Sequence, residues 1–366
     1  MTTFFTAIGI LCGICGVLAF LLAVADRYLN NYGPCTITIN KNEKLEVVGG
    51  DSLLGSLSAE KIFIPSACGG RGSCGLCKLK VMDGGPPLLP TEAPHLTKEE
   101  TDANVRLSCQ LKVRNDMAIE IPEALFSIKE YRAEVVSIRD LTHDIKLLRL
   151  ALKEPSEVSF TPGQYIQLEC PRYKMNPEPV YRAYSIASAP EDRQHLETII
   201  RLVPKGICTT WVFEYLTEGH AVTVNGPYGD FRLHDGDGEM IFIAGGSGMA
   251  PFCSILAEMK RTGNPRKVTY FFGAVSKRDL FHVEEMRAYE AALPGFTFVP
   301  ALSAPTEADA WDGETGLITE VVGRHYDDCG DQQGYLCGSP GMIDACIKVL
   351  TDHGMPDENI FYDKFA

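Results

Sequence analysis

Positive charge is scarce in this sequence: 34 Lys and Arg stand against 48 Asp and Glu, for a formal net charge of −14 over 366 residues. A phosphate backbone needs a basic patch, and the Lys and Arg clusters here are short and interrupted, so nucleic acid is excluded as the main partner. Histidine is sparse too. Its eight copies are scattered and make no zinc site or catalytic dyad. The GxGxxG fingerprint of dinucleotide-binding folds is missing. So is the second separated CxxC pair that a zinc ribbon needs beside Cys74 and Cys77. No basic residue precedes the first apolar run and no small-residue cleavage site stands out before Asp26, which argues against a cleavable leader.

What is present is ample for packed cores. With 45% hydrophobic and 22% charged residues, the length predicts two or three domains. Thirteen cysteines, an odd number spread along the chain, fit a reducing compartment better than a disulfide framework. From Phe4 to Val24 the sequence FFTAIGILCGICGVLAFLLAV carries no charge. Its 21 residues reach roughly 32 Å as a helix, enough to cross a bilayer core of about 30 Å. Arg27, Lys41, Lys44 and Lys61 follow the run and nothing basic precedes it. The positive-inside bias therefore predicts a single-pass protein of the inner (cytoplasmic) membrane, its bulk facing the cytoplasm. Gly9, Gly13 and Gly16 form a small-residue face that suits another membrane helix, although small residues are common in any such helix. Cys12 and Cys15, a CxxC within the run, read as small packing residues, against the alternative of a metal centre shared with partner subunits.

The stretch SACGGRGSCGLCK gathers Cys68, Cys74 and Cys77 in a C-x5-C-x2-C spacing, with Cys109 further on in RLSCQLKV. Thiolates hold iron, and the charge on inorganic sulfide needs backbone N–H groups turned inward. Gly69, Gly70, Gly72 and Gly75 permit that turning without Cβ clashes. An iron-sulfur centre thus fits better than zinc. The residues resemble a plant-type ferredoxin, with a first gap of five as in the ferredoxin domains of NADH-oxidising reductases. The resemblance implies a 2Fe-2S cluster on Cys68, Cys74, Cys77 and Cys109, inside a β-grasp ferredoxin domain over 35–125. Alternating runs in CTITINKN, KLEVVGG, CKLKVMDGG and LSCQLKVRNDMAIEI read as its strands, and SLLGSLSAE as a short helix.

From Tyr131 the runs lengthen, in EVVSIRDLTHDIKLLRLAL, PGQYIQLECP, RAYSIAS and TIIRLV, and predict an antiparallel barrel over 128–235. RAYS resembles the RxYS motif of the ferredoxin-NADP reductase superfamily, whose barrel binds flavin. An arginine fork suits a pyrophosphate, a tyrosine can stack on the isoalloxazine and a serine hydroxyl can reach N5. The likeness assigns Arg182, Tyr184 and Ser185 to FAD, with Ser185 at the reacting atom. GICTTWVFEYL opens a helix at Gly206, Cys208, Thr209 and Thr210, where N–H groups meet a phosphate. NGPYGDF resembles the turn that closes that barrel.

Beyond Glu239, MIFIAGGSGMAPFCSILAEM reads as a buried strand, a glycine turn and an amphipathic helix. VTYFFGAVSKRDLF, FTFVPALS and GYLCGSPGMIDACIKVL add further strands and a helix, so a parallel α/β nucleotide-binding domain is expected over 238–366. GGSGMAP resembles the superfamily's G[GT]xG[IM][AT]P turn and CGSPGMI its CGxPxM turn. That likeness assigns Gly245, Gly246, Gly248, Met249, Pro251, Gly338 and Pro340 to the dinucleotide. It places Cys337 near the nicotinamide, as a position and not a nucleophile, beside the bland reading of a small apolar residue at a strand end. Phe365 matches the aromatic that covers the flavin ring, against an ordinary buried terminal residue. Lys277 and Arg278 favour NADPH on charge, yet the family resembled uses NADH with a similar segment, and NADH is expected.

Transmembrane helix (1–25), linker (26–34), ferredoxin, flavin barrel and nucleotide domain make a multidomain α+β and α/β chain. In that order the parts resemble the F subunits of sodium-translocating NADH:quinone reductases. The family resemblance implies FAD, a 2Fe-2S cluster and NADH, with membrane subunits of a quinone-reducing complex as partners through the N-terminal helix. The chain is compact around CPRYKMNPEPVYRAYS and IIRLVPKGICTT, where that family carries extra residues. Two other readings use the same modules: a reductase component of a diiron monooxygenase, and a membrane-tethered flavin redox sensor.

Overall fold

A computed structural model describes residues 2–29 and 32–365. The chain divides into two compact units, Met1–Pro65 with Gly70–Ser127, and Ser66–Gly69 with Ile128–Ala366.

The first unit opens with helix α1 (Thr2–Leu29). Among the described residues no helix is long and apolar enough to cross a membrane, so the structure gives the helix but not the span expected at 4–24. Next come β1 (Pro34–Ile39), β2 (Glu43–Val48), α2 (Leu53–Ala59), β3 (Lys78–Asp83), α3 (Lys98–Asp102), β4 (Val105–Leu107) and β5 (Met117–Glu120). Left-handed Asn40 and Lys41 (φ 50° and 68°) close the β1–β2 hairpin. The Asn40 amide then bonds both the N–H and the C=O of Ile121, at 2.9 Å each. α2 forms where SLLGSLSAE predicts it, because the Ser52 hydroxyl accepts from Gly55 N–H at 3.0 Å while Leu53 and Leu57 turn inward. The sheet order β2-β1-β5-β3-β4 pairs β1 with β5 in parallel inside an otherwise antiparallel sheet, over a core that includes Ile37, Leu57, Leu79, Leu107 and Ile119. LSCQLKVRNDMAIEI is not continuous strand: between β4 and β5, residues 108–116 run irregularly, which frees Cys109 from a ladder.

In the second unit, β6 (Lys129–Asp140), β7 (Ile145–Glu154), β8 (Tyr165–Cys170), β9 (Val180–Ser185), β10 (His195–Arg201), α4 (Ile207–Glu214) and β11 (Ala221–Tyr228) build an antiparallel sheet of order β10-β7-β6-β11-β8-β9. The Ile186–Thr198 bridge joins its two ends into a barrel. NGPYGDF lies partly inside β11, where the register shifts between Asn225 and Tyr228, and the chain turns only after it.

β12 (Met240–Gly245), α5 (Ala250–Thr262), β13 (Val268–Ala274), α6 (Val283–Ala292), β14 (Phe296–Leu302), β15 (Glu314–Thr315), α7 (Ile318–His325), β16 (Gln333–Gly338), α8 (Pro340–Asp352) and β17 (Ile360–Lys364) follow. The sheet, β15-β14-β13-β12-β16-β17, is parallel throughout. Strand order reverses between β12 and β16, so a crevice opens beyond their carboxyl ends. Barrel residues Ile145, Leu147, Ala187 and Ile199 share one apolar cluster with Phe242, Phe252 and Tyr270, which places both sheets in a single unit.

Candidate electron-transfer site

The cysteine loop is irregular between α2 and β3. Gly69, Gly70, Gly72 and Gly75 all adopt left-handed backbone, φ 64° to 83°, which an L side chain rarely takes. A Cβ at Gly72 would lie 2.5 Å from the Gln110 amide, and one at Gly75 3.0 Å from His95. Cys68 and Cys77 are buried, Cys74 and Cys109 partly so. The Cys77 thiol meets that of Cys109, and this contact, with burial, pushes it far above the usual range. Gln110 Nε2 donates to Cys109 Sγ at 3.6 Å. Ser108 donates to the Cys77 carbonyl through both N–H and Oγ, at 2.8 and 3.0 Å. Among the described residues no three His, Cys, Asp or Glu side chains stand grouped as metal ligands. The donor chemistry and the glycine cradle nonetheless fit a thiolate-held cluster.

Sequence reasoning missed the support beneath Cys109. Arg106 and Glu92 are both buried and form an ion pair at 2.5 Å. Glu92 Oε1 also accepts from Leu107 N–H at 2.9 Å, and Arg106 Nη1 donates to the Pro86 carbonyl at 2.6 Å. The only signal was a charged residue in RLSCQ among positions that read as core.

In the barrel, β9 carries Arg182 and Tyr184, both half-buried, and Ser185, which is buried. Ser185 Oγ has no hydrogen-bond partner among the described residues, nor do Gln167 Nε2 and Thr198 Oγ1 on neighbouring strands. Buried orphans of this kind mark a missing polar partner, and they fit a flavin edge. Arg182 Nη1 donates to the Tyr181 carbonyl at 2.7 Å. Gly206 caps α4 with its backbone alone. Thr209 Oγ1 accepts from Val203 N–H at 3.1 Å, fixing the turn before the helix. Cys208, Thr209 and Thr210 are all buried in its first turn, where Thr210 N–H already bonds the Gly206 carbonyl at 2.9 Å and the N–H groups before it point out of the helix end.

At the crevice, Gly245 ends β12, a tight turn runs from Gly246 to Met249, and Pro251 sits at the start of α5. Gly246 is left-handed, φ 56°. A Cβ at Gly248 would collide with the Cys337 carbonyl oxygen, so the turns after β12 and β16 pack backbone to backbone. Gly338 has φ 149°, and Pro340 opens α8 behind an extended Ser339. Cys337 is wholly buried, and burial, with Asp363 adjacent, raises its thiol far above the usual range. Asp363 pairs with Cys337 across β16 and β17, and burial pushes its carboxyl up to about 6. Phe365 N–H donates to the Gly338 carbonyl at 2.8 Å, which seats the terminal aromatic at this turn. Lys277 and Arg278 are exposed after β13, with Lys277 Nζ on the Asp309 carbonyl at 3.0 Å. Sequence reasoning also passed over Arg201 at the end of β10, whose guanidinium stands beside the Gly246 turn while Nε bonds Asp144 at 2.8 Å.

Family comparison covers the same three regions. Residues 37–114 match the 2Fe-2S iron-sulfur cluster binding domain. Residues 132–233 match the oxidoreductase FAD-binding domain and 242–348 the oxidoreductase NAD-binding domain. Among solved structures, an Amycolatopsis cytochrome P450 reductase superposes with a TM-score of 0.73 at 27% identity, over 90% of this chain and 98% of that one. The ferredoxin reductase in carbazole 1,9a-dioxygenase gives 0.69 at 28%, over 91% and 98%. The F subunit of the Na(+)-translocating NADH-quinone reductase of Neisseria meningitidis serogroup B is 40% identical over 393 residues, 96% of each chain. Its Actinobacillus succinogenes counterpart is 38% identical over 410 residues, covering 100% of this chain and 99% of its own. With 2Fe-2S, FAD-binding and NAD-binding domains in that order and whole-length relatives at this identity, the chain belongs to the family of Na(+)-translocating NADH-quinone reductase F subunits.

Proposed function

We propose that this chain is the NADH-oxidising subunit of a sodium-translocating quinone reductase, receiving electrons from NADH at FAD and delivering them through a 2Fe-2S cluster. The observation that carries the reading is the relationship to F subunits across 96% of both chains, with all three domains inside the aligned length. Bound FAD supplies the exchange between two-electron nicotinamide chemistry and one-electron cluster chemistry.

The chain's own residues divide the work. Arg182 and the first turn of α4, with the backbone N–H groups of Cys208 and Thr209 between Gly206 and Thr210, would hold the FAD phosphates. Tyr184 would stack on the ring, and Ser185 Oγ, a buried hydroxyl without a partner among the described residues, would meet the flavin edge. Gly245, Gly246, Gly248, Met249 and Pro251 shape the dinucleotide turn. Gly338 and Pro340 shape the facing one, where Cys337 would stand near the nicotinamide and Phe365, seated at the same turn, would cover the flavin. Cys68, Cys74, Cys77 and Cys109 hold the cluster, supported by the left-handed glycine loop and by the Glu92–Arg106 pair.

Helix α1 anchors the chain as a single pass in the cytoplasmic membrane and docks on partner subunits, with the remaining domains in the cytoplasm. Support comes from its exposed apolar side chains, among them Phe4, Leu11, Phe20 and Leu22 at 63 to 70%. The two solved reductases named above favour a second reading, a reductase component of an oxygenase. Deleting residues 2–29 separates the two. The anchored protein keeps NADH oxidation by a dye but loses quinone reduction in membranes; unchanged quinone reduction overturns the first reading.

A further inference from the structure

Cys68 stands in a short segment, Ser66–Gly69, that belongs to the same compact unit as the barrel strands. Ser66 and Cys68 are buried, and Gly69 N–H donates to the Ser66 carbonyl at 3.3 Å, which closes the segment into a turn. Gly69 is left-handed, φ 64°. A Cβ there would collide with the Arg182 guanidinium and stand 2.8 Å from the Tyr181 carbonyl oxygen. That carbonyl accepts from Arg182 Nη1 at 2.7 Å, so the guanidinium and the main chain of β9 present one surface to the bare side of Gly69. Both strand residues are held in the ladder, Tyr181 opposite Glu169 and Arg182 opposite Leu168 of β8. Gly70 differs. Its backbone is left-handed too, φ 83°, but a Cβ there would meet Leu54 Cδ2 at 3.8 Å and Cys109 Cβ at 4.0 Å, ordinary contact distances. Gly70 answers a backbone angle, whereas Gly69 answers an angle and a close approach.

We propose that Gly69 is a positioning residue for electron transfer: its missing side chain lets the Cys68 turn sit on Arg182 and Tyr181 of β9, and that seat sets the rate at which the cluster takes electrons from the flavin. A methyl group at this position meets two obstacles. The Arg182 guanidinium ends a flexible side chain and can swing aside. The Tyr181 carbonyl cannot, because its strand is paired with β8, and close-packed backbone yields little. The turn must therefore lift away from the strand and carry Cys68 with it.

The proposal rests on the reading of Cys68 as a cluster ligand and of β9 as part of the flavin site. In the step concerned no bond forms or breaks: one electron leaves the reduced flavin and one ferric iron of the cluster becomes ferrous. Its rate then depends on how closely the protein holds the two groups.

The test uses the full chain with its flavin and cluster loaded, as the native protein, Gly69→Ala and Gly70→Ala. Both variants carry an L side chain at a left-handed position, so backbone strain is matched and the close approach is not. On rapid mixing with NADH, cluster reduction in Gly69→Ala should run roughly tenfold or more slower than in Gly70→Ala, the order expected of a displacement of about 1 Å. The two variants should bleach the flavin at like rates. A second readout needs neither turnover nor a loaded cluster. Amide hydrogen exchange around Tyr181 and Arg182 should quicken in Gly69→Ala beyond its rate in Gly70→Ala, because the first methyl pushes on β9. Like rates of cluster reduction in the two variants, or like exchange at these two residues, would overturn the proposal. A native protein whose flavin bleaches while its cluster stays oxidised would instead overturn the electron path on which the proposal rests.

Discussion

At the scale of single residues, Glu92 and Arg106 carry a large predicted effect on stability. Removing one member of a buried ion pair leaves the other charge uncompensated, at about 3–5 kcal/mol. Glu92→Gln should therefore lower the urea midpoint at which the cluster's visible absorbance is lost, while an unchanged midpoint would contradict the clamp. If Ser185 serves the flavin as proposed, Ser185→Ala should keep FAD bound and slow flavin bleaching by NADH roughly 10²-fold in rapid mixing, through loss of a donor to the reacting edge. Asp363 adds a pH dependence. Its folded carboxyl titrates near 6, above the ordinary value of 3.8, so the folded state holds its proton more tightly than the unfolded chain. Stability from this group is complete below about pH 4 and is lost as pH rises through 6. Asp363→Asn should raise the melting temperature at pH 7.5, and the gain should vanish near pH 4. The C-x5-C-x2-C loop, RAYS and the glycine turns stand out in sequence because each lies within a few adjacent positions, whereas Cys109 lies well beyond Cys77 and was assigned through the family resemblance. Glu92–Arg106 does not stand out, since two charges read as solvated surface until the fold brings them together from fourteen residues apart.

At the scale of elements, local signals foretold local structure. β1, β2 and α2 formed where the alternating runs and SLLGSLSAE predict them. β12, its glycine turn and α5 followed MIFIAGGSGMAPFCSILAEM in order. NGPYGDF was read as a turn, yet Asn225–Tyr228 continues β11 through a bulge, because pairing with β8 outweighs the local preference of Gly and Pro. The barrel's strand order and its shared core with the parallel sheet had no sequence signature, as both depend on contacts such as Ile145 and Ile199 against residues of β12 and α5. The packing of Gly248 on Cys337 makes a prediction at this scale. Gly248→Ala should force apart the turns after β12 and β16, raising the KM for NADH at least about tenfold. FAD content should stay the same; an unaffected KM would show that the two turns do not form the dinucleotide crevice.

At the scale of the whole molecule, the order of a 2Fe-2S, an FAD-binding and an NAD-binding domain decides what the chain can do. Each domain supplies one stage, and only their succession turns hydride chemistry into single-electron delivery. Relatives align over 410 residues, more than the 366 of this chain, so they carry insertions that this compact version does without. The central claim is that electrons from NADH reach a cluster held by Cys68, Cys74, Cys77 and Cys109. Electron paramagnetic resonance of the purified full chain, frozen after NADH addition, tests it most directly. The account predicts a reduced 2Fe-2S signal in the native protein that is lost in Cys109→Ala, while flavin bleaching by NADH persists in both. A flavin that bleaches with no cluster signal in the native protein, or a signal unchanged in Cys109→Ala, would contradict it.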